Sequence, residues 1–254
     1  MAGEAKTTDF MLGTATVMFG PTADVFDLTP AEHGVGLTKN VSVTTEPSFT
    51  DLTQGVKNTN VYSVMTGNSV RAAMEVYEYT AANMLYAQGL DGSAHVIPTG
   101  TSTLATPVVA LDTTIDVETG DGANFTAGDY VIIQSGAKDK NYVRKIVSIA
   151  TDVITVDSAL PDVIAAGETV KAASVVGLGD KSVMPFLGCK IVGLTADEDP
   201  MTLIFPKVRI TAGFNIQFST DDFQNMPYEL TMYDLVTSDP LYSTFNGLTG
   251  MAMV

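Results

Sequence analysis

The 254-residue chain contains no tryptophan, one cysteine and two histidines. A single cysteine, Cys189, excludes an intrachain disulfide framework, and we interpret it as a small buried apolar residue in a reducing compartment. His33 and His95 lie in sequence typical of loops, without a second ligand at metal-binding spacing. Phosphate-loop, zinc-protease, CxxC and GxSxG motifs are also absent. We therefore expect a protein without a metal or cofactor, and not an enzyme.

Basic residues are scarce: 13 Lys and Arg stand against 29 Asp and Glu, a formal net charge of −16. Phosphate contacts need clustered Lys and Arg, so this balance argues against a nucleic-acid-binding surface, and equally against acidic membranes. No apolar run approaches the ~18 residues of a membrane span, and no basic region followed by an apolar core suggests an export signal. What the chain does have is 45% hydrophobic residues, which predicts a folded protein.

The stretch from Gly36 to Leu90 organises the rest of the chain. Residues 37–46 and 70–76 alternate apolar and polar side chains, the period-2 signature of half-buried strands. Between them, Glu46 to Asn60 carries Pro47, Gly55 and many Ser, Thr and Asn, a composition that predicts a long polar loop. Loops of such length are usually functional or disordered.

One short helix is predicted directly after these strands. Thr80 suits the N-cap, residues 81–88 are mostly helix formers, and Gly89 suits the C-terminal stop. So short a helix is not stable alone in water, so we expect it to dock on the neighbouring sheet.

Residues 92–180 differ in composition from the rest of the chain, with Gly-, Ser- and Thr-rich turns between short predicted strands. Both ends of this segment are glycine-rich. We predict that they form a small inserted all-β domain, a barrel or sandwich, within a host domain made of residues 1–91 and 181–254. The insert carries 11 acids and 5 bases, a net charge of −6. Its predicted strands are Val108–Leu111, Ile115–Val117, Tyr130–Gln134, Val143–Ile149, Val153–Val156 and Val170–Ala173.

The second half of the host completes a mainly β fold. The apolar end of the chain, which includes Met251, Met253 and Val254, is costly to leave in water, so we expect it to dock on a neighbour or on the fold itself. The predicted strands are Gly188–Leu194, Met201–Ile210, Gly213–Phe218 and Tyr228–Leu235.

Several phrases together resemble the tail tube, or major tail, proteins of long-tailed bacteriophages. They are GLTKNVSV, DLTQGVKNTNVYSVMTGNSV, MEVYEYTAANMLYAQGL and FPKVRITAGFNIQFSTDDFQNMPYEL. The resemblance covers most of the predicted host domain and implies a β-sandwich or barrel with one flanking helix. It implies that six copies form a ring and that stacked rings enclose a channel for DNA ejection.

The resemblance also implies partners and a location. The partners are other copies of the chain and other tail proteins, while DNA passes through the lumen without specific binding. The protein is expected in the virion tail, assembled in the host cytoplasm, with the inserted domain outside the tube. The region Glu46–Asn60 is implied to contact the next ring, where Asp51, Gln54, Lys57 and Asn58 can supply polar pairs.

A secreted or cell-surface β-sandwich that binds carbohydrate is the alternative function, with 92–180 as a second binding module. Such a protein favours exposed aromatic side chains and an export signal, and this chain lacks tryptophan. A hydrolase with a site that the sequence does not reveal is a third and weaker alternative, because no nucleophile motif is present.

Overall fold

A computed structural model describes residues 15–54, 56, 58–93, 95–179, 184–195, 199–211, 215–216 and 223–253. The chain divides into two compact units, residues 1–95 with 177–254, and residues 96–176. The junctions expected after residues 91 and 180 lie within four residues of these boundaries. We call the units the host domain and the inserted domain. Both are built from antiparallel strands with few helices, so the mainly β fold class is confirmed.

The host domain contains one seven-stranded sheet with the order β1-β10-β11-β12-β3-β2, and β13 pairs with β11. Its strands are β1 Thr16–Gly20, β2 Thr38–Gln54, β3 Thr59–Val76, β10 Leu187–Leu194, β11 Pro200–Ile210, β12 Met226–Met232 and β13 Met251–Met253. Its helices are α1 Pro30–His33, α2 Ala81–Ala87 and α3 Tyr242–Phe245, with a 3-10 turn at Thr22–Asp24.

The host sheet curls so that its first and last strands come together at one end only, next to the start of β2. Val35 N donates to Val17 O at 3.1 Å, and Thr38 Oγ1 donates to Ala15 O at 2.6 Å. The curled sheet encloses a core of buried side chains from β1, β3, β10, β11 and β12. The opposite, convex face is mixed, because Met18 and Ile204 belong to a second buried apolar cluster around Phe245, whereas polar side chains such as Lys207 occupy other positions on it.

Helix α2 begins and ends where its sequence predicts. The Thr80 side chain accepts a hydrogen bond from Asn83 N at 3.1 Å, and Gly89 has a φ of +76° just after the helix. The helix packs inside the curl, where the Tyr86 ring lies 5.2 Å from the Phe19 ring. The prediction of a capped helix docked on the sheet is confirmed.

The prediction of a long polar loop over Glu46–Asn60 is wrong. Strands β2 and β3 pair continuously to Gln54 and Thr59, which leaves a short turn between them. Pro47 is tolerated because β2 is an edge strand, where a missing N–H donor leaves no partner unpaired. Serine and threonine occur in strands as well as in loops, so the composition of this segment did not distinguish a strand from a loop.

The inserted domain is a six-stranded sheet with the order β4-β9-β6-β7-β8-β5. The strands are β4 Thr101–Thr103, β5 Thr114–Asp116, β6 Tyr130–Ser135, β7 Ala137–Ala150, β8 Val153–Val156 and β9 Thr169–Ala173, with a 3-10 turn at Asp121–Asn124. Ala105 N donates to Asp116 O and Glu118 N donates to Thr103 O, so the two edge strands are joined and the sheet closes into a small barrel. Its apolar interior is a separate core.

Several predicted strands shift or disappear. Val108–Leu111 is not a strand, because Val108 makes a single bridge to Ile164 and Leu111 adopts a φ of +70°. The strand expected at Tyr228–Leu235 begins at Met226 and ends at Met232. The expected strand Gly213–Phe218 falls for the most part outside the described residues.

Candidate assembly surface

The outer parts of β2 and β3 form a two-stranded ribbon that extends beyond the host core. We call this segment, residues 48–67, the ribbon; its pairs run from Ser48 opposite Gly67 to Gln54 opposite Thr59. At ~3.3 Å per residue, it projects by roughly 20 Å. An isolated two-stranded hairpin is at best marginally stable in water, so a ribbon of this length needs contacts beyond its own pairing.

Apolar side chains occupy both faces of the ribbon. Leu52 and Tyr62 are directly opposite each other, and their exposures are 64% and 65%. Phe49 and Met65 form a second pair on the other face, and each is 59% exposed. Val64, next to Tyr62 on the first face, is also exposed. A ribbon with one solvent-exposed face and one buried face has apolar residues on the buried face only. Apolar residues on both faces of this ribbon therefore indicate partners on both sides.

Asp51 is satisfied within the ribbon. Its carboxylate accepts hydrogen bonds from Asn60 Nδ2 at 2.9 Å and from Ser63 Oγ at 2.6 Å. These cross-strand bonds fix the pairing of β2 with β3 near the tip. Asp51 therefore stabilises the ribbon rather than offering a free carboxylate to a neighbour.

The other predicted contact residues lie at the tip. Gln54 is exposed and pairs with Thr59, and Asn58 adopts a φ of +48° in the turn. Lys57 lies outside the described residues. Gln54 and Asn58 are thus close in the fold and accessible. The exposed apolar pairs behind them were missed, although Phe49, Leu52, Tyr62 and Val64 could have been recognised as apolar positions in an otherwise polar stretch.

The C-terminal strand docks on its own domain. Met251, Ala252 and Met253 pair with Ile204, Leu203 and Thr202 of β11. Met251 also packs against the small cluster around Phe245. Of the two expected modes, docking on the fold itself is the one seen for Met251 and Met253, while Val254 lies outside the described residues.

An open groove of about 310 Å³ lies between β13 and the base of the ribbon. A second groove of about 240 Å³ continues beside it, and the two share Val43 and Leu203. Val43 and Thr45 of β2 line the first groove. Phe49 lies four residues after Thr45, and because side chains alternate along a strand it is on the same face of β2. The apolar grooves and one face of the ribbon therefore form a continuous surface.

The convex side of the sheet has a different character. Lys207 pairs with Asp239 at 2.6 Å, and this hydrogen bond holds the pKa of the Asp239 carboxyl below its usual range. The Arg209 guanidinium lies over the Phe186 ring at 4.0 Å, with Tyr233 beside it. On the outer side of β11, Lys207 is therefore ion-paired and Arg209 is stacked on aromatic rings, while the buried Nε of Arg209 makes no hydrogen bond to any described residue.

Cys189 is fully buried, and burial raises the pKa of its thiol. Within the described ranges, no group of His, Cys, Asp and Glu is placed to hold a metal ion. None of the described helices is long and apolar enough to cross a membrane.

Comparisons with models of known protein families and with curated proteins find no match to the chain.

Proposed function

We propose that the chain is a structural subunit of a phage-type tail tube, in which six copies form a ring and the rings stack around a channel for DNA. The observation that carries this proposal is the ribbon. It projects from the host core with apolar pairs on both faces, and a second copy on each side would bury them.

Two further features of the host domain support self-association. Strand β2 is the last strand in the sheet order, and its outer edge continues along the ribbon. This unpaired edge can pair with a strand of a neighbouring copy. The two grooves that share Val43 and Leu203 present apolar side chains next to that edge. Closing sheets across subunits removes the exposed edges that a single copy must otherwise protect.

The inserted domain contrasts with the host in this respect. Its barrel is closed by hydrogen bonds between its edge strands, so it has no comparable edge to offer. This division supports a host domain that assembles and an inserted domain carried outside the tube.

The charge of the chain suits a conduit better than a DNA-binding site. The net charge of −16 repels phosphates, so DNA would slide through a lumen without sticking. The virion tail as location, and other tail proteins as partners at the tube ends, follow from this proposal.

The decisive experiment combines electron microscopy and sedimentation of the purified full chain over a range of concentrations. We expect six-fold rings or tubes with an axial channel. In a matched variant, Phe49–Thr66 is replaced by Asn-Gly, which suits a tight two-residue hairpin turn between the paired residues Ser48 and Gly67. This variant should keep the host fold and lose the tubes.

The alternative, a cell-surface carbohydrate-binding β-sandwich, predicts a different outcome. Such a protein would remain monomeric at high concentration in any salt, and shortening the ribbon would leave its oligomeric state unchanged. That result would overturn the tube proposal.

A further inference from the structure

The outer face of the inserted barrel carries a mixed apolar and basic patch. On strands β9, β6 and β7, alternate side chains point into the barrel core, and the others point outward. The outward set on these adjacent strands includes six residues that we call the barrel patch: Tyr130, Ile132, Val143, Lys145, Val147 and Lys171. Cross-strand pairing places Tyr130 opposite Lys145, and Ile132 between Val143 and Lys171.

No carboxylate alternates onto this face from β6, β9 or residues 141–147 of β7. This is unusual in a chain with 29 acids and 13 bases. Among the described residues, neither Lys145 nor Lys171 forms an ion pair. The nearest acid in the pairing is Asp157, which accepts a hydrogen bond from the backbone N of Lys145 at 3.1 Å rather than pairing with its ammonium group.

The spacing of the two lysines indicates what they can recognise. Lys145 on β7 and Lys171 on β9 lie on either side of β6, and their positions along the strands differ by two residues. This puts their Cα atoms roughly 12 Å from each other. Between and beside them lie the Tyr130 ring, 40% exposed, and the side chains of Val143 and Val147, 51% and 58% exposed. The patch thus offers two separated cations with an aromatic and aliphatic floor between them.

We propose that the barrel patch binds an anionic polysaccharide. Sugar rings have apolar faces that can lie on Tyr130 and the valines, and their carboxylate or phosphate substituents are separated by whole rings, which suits two spaced ammonium groups. DNA carries a charge every ~1.7 Å, and a chain with so few bases cannot offset so dense a charge.

A protein partner fits less well. The patch spans three strands by about four residues, far below the ~800 Å² that each partner contributes to a standard protein interface. A small patch gives weak binding, and weak binding becomes useful when many copies act on one repeating ligand. The proposed tube would supply such an array, and to that extent the inference rests on the proposed function.

The test immobilises the full chain at high density on a sensor surface, so that it does not depend on tube formation. The probes are polygalacturonate, which carries carboxylates, poly(glycerol phosphate), which carries phosphates, neutral dextran and double-stranded DNA. We expect binding to at least one of the two anionic probes, weakening as salt is raised. The probe that binds identifies the source of the charge.

Substitutions then assign the binding to the patch. Lys145→Gln and Lys171→Gln should each weaken binding about two- to fivefold, the effect of losing one exposed ion pair. Lys140→Gln is the matched control, because it removes the same charge from the same domain at a residue already paired with Asp162 at 2.6 Å. It should leave binding unchanged.

Three outcomes would overturn the inference. They are no binding to either anionic probe, equal loss of binding in the Lys140→Gln control, and DNA binding as strong as that of the anionic probes. Failure of tube assembly alone would contradict the proposed function and leave this measurement intact.

Discussion

Asn83 is the residue that ties helix α2 to the host sheet. It is 3% exposed, and its side-chain amide donates to Val35 O at 2.9 Å and to Glu78 O at 2.8 Å. Its backbone carbonyl accepts the hydroxyl of Tyr228 at 2.5 Å. One side chain therefore connects the helix with the segments before β2 and after β3.

We predict that Asn83→Ala destabilises the protein by about 2–4 kcal/mol, because the buried carbonyl of Val35 and the partly buried carbonyl of Glu78 lose their donor. Tyr228→Phe removes one hydrogen bond and should cost about 1 kcal/mol. Urea unfolding followed by circular dichroism measures both. Equal effects from the two variants would contradict the role assigned to the Asn83 amide.

Buried tyrosines make the host domain sensitive to alkali. Burial raises the pKa of Tyr86 to about 12 and also raises the pKa of Tyr228. In the unfolded chain these groups ionise near their ordinary value of about 10. The unfolded state therefore releases protons first as pH rises, and the free energy of unfolding falls.

We predict that stability changes little between pH 8 and about pH 10 and declines as pH rises from about 10 towards 12. Tyr86→Phe should make this decline shallower, because it removes one of the groups that ionise on unfolding. Tyr62→Phe, at an exposed position of the ribbon, is the control and should leave the slope as it is. Unfolding measured at several pH values between 8 and 12 decides between these results. A slope unaffected by Tyr86→Phe would argue against its contribution.

At the scale of elements, the ribbon can be tested one face at a time. Leu52→Ser combined with Tyr62→Ser should abolish tubes while the unfolding midpoint changes little, since neither side chain belongs to the core. Phe49→Ser with Met65→Ser tests the face continuous with the grooves in the same way. Electron microscopy scores assembly, and circular dichroism scores the fold.

The matched control removes two exposed apolar side chains elsewhere. Val109→Ser with Leu111→Ser acts on the inserted domain, where the two residues are 65% and 78% exposed. Tubes should persist in this variant. If the control loses tubes as the ribbon variants do, general surface hydrophobicity rather than the ribbon drives association.

Sequence patterns predicted the elements whose signals are local. The cap at Thr80 and the glycine at position 89 define α2 within one residue, because capping depends on a few neighbouring side chains. Strands β10 and β11 were located within one residue of their predicted starts, because apolar residues fill one buried face. Both signals arise from contacts within this chain.

The ribbon could not be predicted in the same way. Its apolar residues fall on both faces, so the period-2 alternation that marks a half-buried strand is missing. If its partners are other copies of the chain, no single-chain core imposes that alternation. The exposed pairs Phe49 with Met65 and Leu52 with Tyr62 were therefore overlooked, and the polar residues Asp51 and Gln54 were favoured in their place.

At the scale of the whole molecule, the two domains differ in how they handle their sheet edges. The inserted barrel joins its first and last strands by hydrogen bonds and encloses its own core. The host leaves the outer edge of β2 and the adjoining grooves open. An open edge is an aggregation hazard in a lone molecule, so its retention is consistent with a partner that covers it.

This contrast yields the last prediction, that the inserted domain is dispensable for assembly. Replacing residues 96–176 with a Gly/Ser linker between His95 and Gly177 removes a closed unit with its own core, and leaves every strand of the host sheet in place. The variant should keep a β-type circular dichroism spectrum and form tubes with the axial repeat of the full chain, though narrower. The ribbon deletion provides the opposite case, in which the inserted domain stays and the tubes are lost. A linker variant that folds but remains monomeric, under conditions where the full chain forms tubes, would show that residues 96–176 take part in assembly.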